Sequence, residues 1–257
     1  MELPVRSIAS GMDRLDSPVA ALASDYPSGT STPRHQHPNV QLIHAVHGVM
    51  VVSTDHGQWV VPPTRGLWMP SRTDHWIRMV GHVKMRTAFI RPDAAPDLPT
   101  ECIVLGISPL LRELILAAID VAVPYEEHSR DGRLMRLLLD EVVHMPTLPL
   151  NLPRPSDARL RRICDTIATA LDDDTTLAGW AGRLGVDAKT VHRLFLRETG
   201  MSFSQWRVQA RLLHALERLA AGDRIVDVAL DLGYSSPTAF ATMFRRQFGV
   251  APSAYFR

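Results

Sequence analysis

The chain has 257 residues, 46% of them hydrophobic and 21% charged, enough for one large core or two ordinary ones, and this excludes a natively disordered chain. Its 28 basic and 27 acidic residues leave a formal charge of +1, so bulk charge alone names no nucleic-acid or membrane partner. Cys102 and Cys164 lie far apart without C-x-x-C spacing, which excludes a disulfide framework or a cysteine zinc site and fits a reducing cytoplasm.

From the N-terminus, "MELPVRSIASGMDRLDSP" lacks an apolar signal region, and the greasiest run, "ISPLLRELILAAIDVAV", is interrupted by Arg112, Glu113 and Asp120. No membrane or export segment is expected, and the localisation expected is cytoplasmic. Between about Pro18 and Leu105, short β-branched and aromatic runs ("QLIHAVHG", "VMVVST", "QWVVP", "LWMP", "HWIRMVG") alternate with Gly, Pro and Asp-His-Gly turns, a pattern that predicts an antiparallel sandwich or barrel.

Within it, His35 and His37 stand two positions apart, which on a strand sends both side chains to one face. Gly29-x5-His35-x-His37-x3-Gln41-x6-Gly48 resembles the first cupin motif, with Gln41 where a glutamate is usual. Pro70-x4-His75 resembles the second, with Arg72 in place of a glycine and Met79 in place of the usual asparagine. The resemblance implies a cupin-like antiparallel β-barrel over 1–105. Three neutral imidazoles, His35, His37 and His75, are candidate ligands for a divalent cation such as Zn, Mn, Fe or Ni, with the Gln41 amide oxygen a poor fourth. The other reading of the same residues is an effector pocket lined by His35, His37, Gln41 and His75, or histidines that satisfy one another. Trp59, Trp68 and Trp76 are expected in the core, with Trp68 also a candidate pocket wall; His44, His47 and His56 are expected at the surface or in turns.

Two helices are predicted next, over "SPLLRELILAAIDVAV" and "SRDGRLMRLLLDEVVHM", with apolar residues at i, i+3, i+4 and i+7. Segment 106–145 is read as a dimerisation or coupling segment; the stripe with Leu134, Leu137, Leu138 and Glu141 either packs on the barrel or faces a second copy. Residues 146–155 lie in "HMPTLPLNLPRP", whose four prolines read as a linker.

The segment 156–257 carries 14 basic and 11 acidic residues, a mild positive excess. It reads as an all-α domain with an internal repeat: Ala181 matches Ala229, Gly185 matches Gly233, Phe195 matches Phe244 and Gly200 matches Gly249. Each copy, at about 176–199 and 225–248, is a short helix, a glycine turn and a second helix, and a helix over about 203–221 joins them. In the first copy Ala178, Ala181 and Leu184 are read as one face, Asp187 as the N-cap, and Val191, Leu194 and Phe195 as buried. In the second, Val228, Ala229 and Leu232 form the face, Ser236 caps a helix with Pro237 at its first position, and Phe240, Phe244 and Phe248 are buried. The opposite faces carry Lys189, His192, Arg193 and Arg197, and Thr238, Thr242, Arg245 and Arg246. A helix of this kind fits a B-DNA major groove, where Arg and Lys meet guanine edges and Thr meets a thymine methyl.

The pattern A-x3-G-Y-S-S-x3-F-x3-F-x3-F-G-x2-P-x2-Y over Ala229 to Tyr255, with "RLFLRETGMSF" and "RLLHALERL" before it, resembles the AraC/XylS transcription regulators. The resemblance implies a seven-helix domain with two helix-turn-helix units in adjacent major-groove segments. It suggests base-edge roles for Lys189, His192, Arg193, Thr238 and Thr242, and places Arg197, Arg207, Arg245 and Arg246 nearer phosphates. The chain is thus expected to be an effector-responsive regulator and not an enzyme. Double-stranded operator DNA, a small-molecule effector, RNA polymerase and a second copy of the chain are its expected partners. No cofactor is expected beyond a divalent metal in the barrel. The rival from another class is a metal-dependent cupin enzyme fused to a DNA-binding domain. No Gly-rich phosphate loop, carboxylate pair or nucleophile elbow appears.

Overall fold

The alternating runs of the first hundred residues form antiparallel strands in the computed structural model, which describes residues 12–94, 96, 99–148 and 150–255. In chain order these are β1 (Val19–Tyr26), β2 (Val40–Thr54), β3 (Gly57–Val61), β4 (Arg65–Met69), β5 (Trp76–Ile90) and β6 (Ile103–Gly106). Helices α1 (Pro109–Ala118) and α2 (Arg130–His144) follow, then two short strands, β7 (Thr147–Leu148) and β8 (Asn151–Pro153). The chain divides into two compact units, one of residues up to 54 with 59–150, the other of 55–58 with 151 onward. In the first unit the strands lie in the order β1-β5-β2-β4-β6-β7, with β3 beside β2.

"QLIHAVHG" and "VMVVST", read as two strands, are one. Gly48 adopts φ +76° and the β2–β5 register slips between Ala45 and His47 and again between His47 and Val49, so the ladder bends through a bulge instead of ending. A side chain at Gly48 has no room: a Cβ there would lie 2.5 Å from the His82 carbonyl oxygen and 2.8 Å from Val83 Cγ2. Gly48→Ala is expected to lower the unfolding free energy by roughly 2 kcal/mol or more, from left-handed backbone strain plus overpacking, readable by urea denaturation.

Strand β2 is buried on both faces. On one, Val40 and Leu42 join Trp68, Ala88, Leu111, Ile115, Met135, Leu138 and Val142 in a core shared with α1 and α2. Both helices are capped as their sequences allow, Ser108 accepting from Leu111 N–H and Ser129 from Gly132 N–H. The buried stripe of α2 is Gly132, Met135, Leu138 and Val142, while Leu137 lies exposed. The proline-rich stretch is also less free than a linker: β7 pairs with β6, and Gly106 N–H donates to the Pro146 carbonyl at 2.9 Å.

The expectation of a surface position for His44 is overturned. Alternation puts it on the Leu42 face, which the helices cover, and it is fully buried, with Nδ1–H donating to the Arg65 carbonyl at 2.9 Å. His47, at the bulge, and His56, in the β2–β3 turn, are exposed. Burial pushes the His44 pKa down from 6.5 to about 4, with nearby Arg112 acting in the same direction. As pH falls through 6.5 the unfolded chain gains a proton on His44 that the folded protein refuses until about 4; stability present above pH 6.5 is lost across that window. The loss at pH 4.5 is on the order of 2 to 3 kcal/mol. Denaturation of wild type and His44→Leu at pH 7 and 4.5 is expected to show the variant losing less by about that amount.

In the second unit seven helices follow among the described residues: α3 (Ala158–Thr169), α4 (Leu177–Leu184), α5 (Ala188–Thr199), α6 (Phe203–Ala220), α7 (Ile225–Asp231), α8 (Pro237–Phe248) and α9 (Pro252–Tyr255). No described helix is long and apolar enough to cross a membrane.

Candidate nucleic-acid interface and histidine site

The two helix pairs of the second unit, α4–α5 and α7–α8, are built by the same local chemistry. In the first, Thr176 caps α4, Gly185 ends it at φ +66°, and Val186 N–H returns to the Ala181 carbonyl at 3.0 Å. In the second, Gly233 takes φ +75° and Tyr234 N–H returns to the Ala229 carbonyl, again at 3.0 Å. Asp187 then caps α5 through Lys189 N–H, and Ser236 caps α8 through Ala239 N–H with Pro237 in first position. Both second helices stop at a left-handed glycine, Gly200 and Gly249.

One face of each second helix is anchored. Val191, Leu194 and Phe195 of α5 are buried with Leu160, Ile163, Ile167, Trp180, Phe203 and Trp206. On α4 the inward residues are Trp180 and Ala181, with Leu184 half-buried; Ala178, read from the sequence as part of this face, is exposed because the short helix turns its tryptophan inward instead. Phe240 and Phe244 of α8 are fully buried, whereas Phe248 is only half-buried, its ring 4.5 Å from that of Phe244 and 4.8 Å from that of Tyr255.

The opposite faces are open. Lys189, His192, Arg193 and Arg197 on α5 are exposed, as are Thr238, Thr242, Arg245 and Arg246 on α8. Arg197 pairs with Glu198 at 3.1 Å, and Arg207 is half-buried on α6, with Nη1 donating to the Thr175 carbonyl and the guanidinium over the Phe203 ring. Helix α6 begins with a reciprocal Ser202–Gln205 capping box. Its Arg211 donates to the Leu171 carbonyl ahead of α4 and lies against the Gly233 turn, 3.2 Å from where a Cβ would sit. Farther along, Arg218 bridges Asp223 and Asp231 and so holds α7 to the end of α6.

In the first unit His35, His37 and His75 come together, each offering a ring nitrogen within 4.8 Å of the others. Backbone bonds assemble them: His35 N–H to the His75 carbonyl at 2.9 Å, His75 N–H to the His35 carbonyl at 2.8 Å, and Arg72 N–H to the His37 carbonyl at 2.6 Å. Arg72 sits at φ +57°, the left-handed position where the cupin pattern has glycine. The His37 ring packs edge-on against Phe89, whose backbone partner is Gln41. Gln41 also faces Met69 in register, donates to Thr87 Oγ1 at 3.1 Å, and keeps a buried Oε1 with no partner. Trp68, one residue along β4, points to the other face, into the helix-covered core, with its indole N–H on the Pro99 carbonyl. It therefore does not line this site with Gln41.

Two features were not foreseen. Asp13 lies with its carboxylate 3.8 Å from His37 Nδ1, its segment held by Asn39 Nδ2–H donating to the Met12 carbonyl at 2.6 Å. A cleft of about 290 Å³ is lined by Val19, Arg91, Tyr125, Met135 and Arg136. Neither has a linear signal, since the contributing residues come from segments far apart in the chain.

Residues 180–257 match a helix-turn-helix domain model and residues 17–143 match the AraC-like ligand binding domain. The HTH-type transcriptional regulator NimR of Escherichia coli is 36% identical over 239 residues, covering 92% of this chain and 87% of that protein. The chain belongs to the AraC family of transcriptional regulators. The HTH-type transcriptional regulator RipA of Corynebacterium glutamicum is 36% identical over 120 residues, 47% of this chain and 34% of that one. A crystal structure of ToxT from Vibrio cholerae aligns over 93% of this chain and 97% of that chain at 11% identity, with a TM-score of 0.39.

As an AraC-family member the protein is a DNA-binding transcription regulator with an N-terminal ligand-binding domain. In its second helix pair the Ser236 side chain caps α8 by accepting from Ala239 N–H, so Ser236→Ala is expected to cost about 1 kcal/mol of stability. Substituting the exposed neighbour Ser235 is expected to stay within about 0.5 kcal/mol, and calorimetry of both variants compares the two.

Proposed function

We propose that α5 and α8 are the two reading helices of an operator-binding regulator controlled by a small molecule in the N-terminal unit. The observation that carries this is the duplicated glycine turn: each copy buries one face of its second helix and leaves the other face free with basic and hydroxyl side chains. Such helices enter major grooves, and two of them on one duplex face would address sites about 10 bp, or ~34 Å, apart. Lys189, His192, Arg193, Thr238 and Thr242 read base edges in this scheme. Arg245 and Arg246 contact phosphates, as does Arg197 by exchanging its exposed pair with Glu198, which such a pair permits at small cost. Arg207, already bonded to Thr175, acts by positioning its helix beside the backbone.

His35, His37, Gln41 and His75 form the effector site in this reading. The segment 106–145 couples effector to DNA affinity and forms the dimer contact, for which the exposed Leu110, Leu137 and Val143 supply apolar surface. The domains run 1–105, 106–145 and 156–257, with 146–155 between them. The protein acts by binding and not by turnover, in the cytoplasm, where operator DNA and RNA polymerase are found.

Arg193→Ala is expected to weaken specific operator binding by ~1 to 3 kcal/mol and to relax preference at one base position. Arg246→Ala is expected to weaken all sequences alike and to reduce the salt slope by about 1. Selection of DNA fragments by the purified protein, then titration with each variant at two salt concentrations, measures both; unchanged preference in Arg193→Ala would remove α5 from the reading surface.

A further inference from the structure

The cleft of about 290 Å³ between the start of β1, the end of β5 and helix α2 shares no lining residue with the histidine cluster. Its volume falls near the lower end of the range for small-molecule sites. Val19 and Met135, both almost fully buried, give it an apolar floor that half-buried Leu139 extends along α2. The rim is held by the protein itself. Arg133 Nη1 donates to the His128 carbonyl at 2.7 Å, and a Cβ on Gly132 would lie 2.2 Å from the Glu127 carbonyl oxygen, so the loop ahead of α2 sits directly on the first turn of that helix. Tyr125 is fixed at both ends, its N–H donating to Ser17 Oγ and its hydroxyl accepting from Val19 N–H, each at 3.1 Å.

The charges around this cleft are of two kinds. Arg91 and Asp93 close a bidentate pair at 2.9 and 2.7 Å, which leaves Arg91 Nη1 open. Arg136 and Glu127 are exposed, and neither side chain has a hydrogen bond or ion pair among the described residues, although both line the cleft. The Tyr125 hydroxyl proton has no acceptor among them either. Burial raises the pKa of that hydroxyl, with the Glu127 charge acting in the same direction, so it remains a donor at pH 7. An open guanidinium, an open hydroxyl proton and an open carboxylate over an apolar floor complement a molecule that carries both signs. Its carboxylate would meet Arg136, Arg91 Nη1 and Tyr125, its ammonium Glu127, and its apolar body Val19 and Met135. A plain anion would instead face Glu127, and a plain cation Arg136, like charge against like.

We propose that this cleft binds a small zwitterion with an apolar body, the chemistry of a free apolar amino acid. The site goes beyond the effector reading above and does not rest on it, because the two share no residue.

The test titrates the full-length protein by calorimetry with L-leucine, L-methionine and L-phenylalanine. Isocaproate and isoamylamine, which keep the apolar body of leucine and one charge each, are the comparison probes. At least one of the amino acids is expected to bind saturably at one equivalent and to raise the melting temperature. Isocaproate and isoamylamine are expected to bind at least tenfold more weakly than it does. Arg136→Ala and Glu127→Gln, both at exposed positions, are each expected to weaken its binding at least tenfold with unchanged circular dichroism, while His35→Gln binds it as wild type does. No saturable binding of any of the three by wild type, unchanged affinity in Arg136→Ala or Glu127→Gln, or isocaproate binding as tightly as the amino acid overturns the proposal. Binding that is lost in His35→Gln and kept in Arg136→Ala also overturns it, and leaves the histidine effector site standing.

Discussion

The DNA-facing half depends on one backbone device used twice. A left-handed glycine lets the residue after it turn back and bond to a carbonyl five residues earlier, Val186 to Ala181 and Tyr234 to Ala229, at the same 3.0 Å. This sharp reversal sets the angle between the two helices of each pair. Once that angle is fixed, burial of Phe195 or Phe244 determines which face of the second helix is left outside. The side chains proposed to touch DNA are therefore oriented by residues that never approach it.

The N-terminal unit works by having a sheet with two different sides. One side of β2 is sealed by α1 and α2, which is why His44 and Trp68 are core residues there. The other carries Gln41, Phe89 and, beside Phe89, the histidine cluster, where polar atoms are buried without partners. Unsatisfied polar groups cost stability in a core, and the helix-covered side carries one as well, His44 Nε2. The two sides differ in what covers them: the helices on one, and Gln41, Phe89 and the histidine cluster on the other.

The helical repeat was legible because its signals are local: a cap, a proline at the first helical position, a glycine at the stop and an aromatic every fourth residue all lie within one turn of the atoms they organise. Asp187, Ser236, Gly185 and Gly233 act as their types dictate. The pairing of His35 with His37 was readable for the same reason, since alternation along an extended chain fixes the face. His75 entered through its spacing pattern, and the bridge to His35 brings it there. Ala178 and Phe248 are less buried than the helical period suggests, because period alone does not fix the rotation of a helix, which its neighbours set.

The chain by itself determined the order of elements, the duplicated turn and the residue types offered on the exposed faces, because these follow from φ/ψ preferences and apolar spacing over a few residues. Tertiary structure alone decided which side of β2 the helices cover, and with it the burial of His44 and the separation of Trp68 from Gln41. It also decided that Asp13 meets His37 across 24 residues of chain, and that Arg211 ties the start of one helix pair to the turn of the other. Contacts of that kind are set by how whole layers pack, a balance of many small burial energies that leaves no mark at any one position.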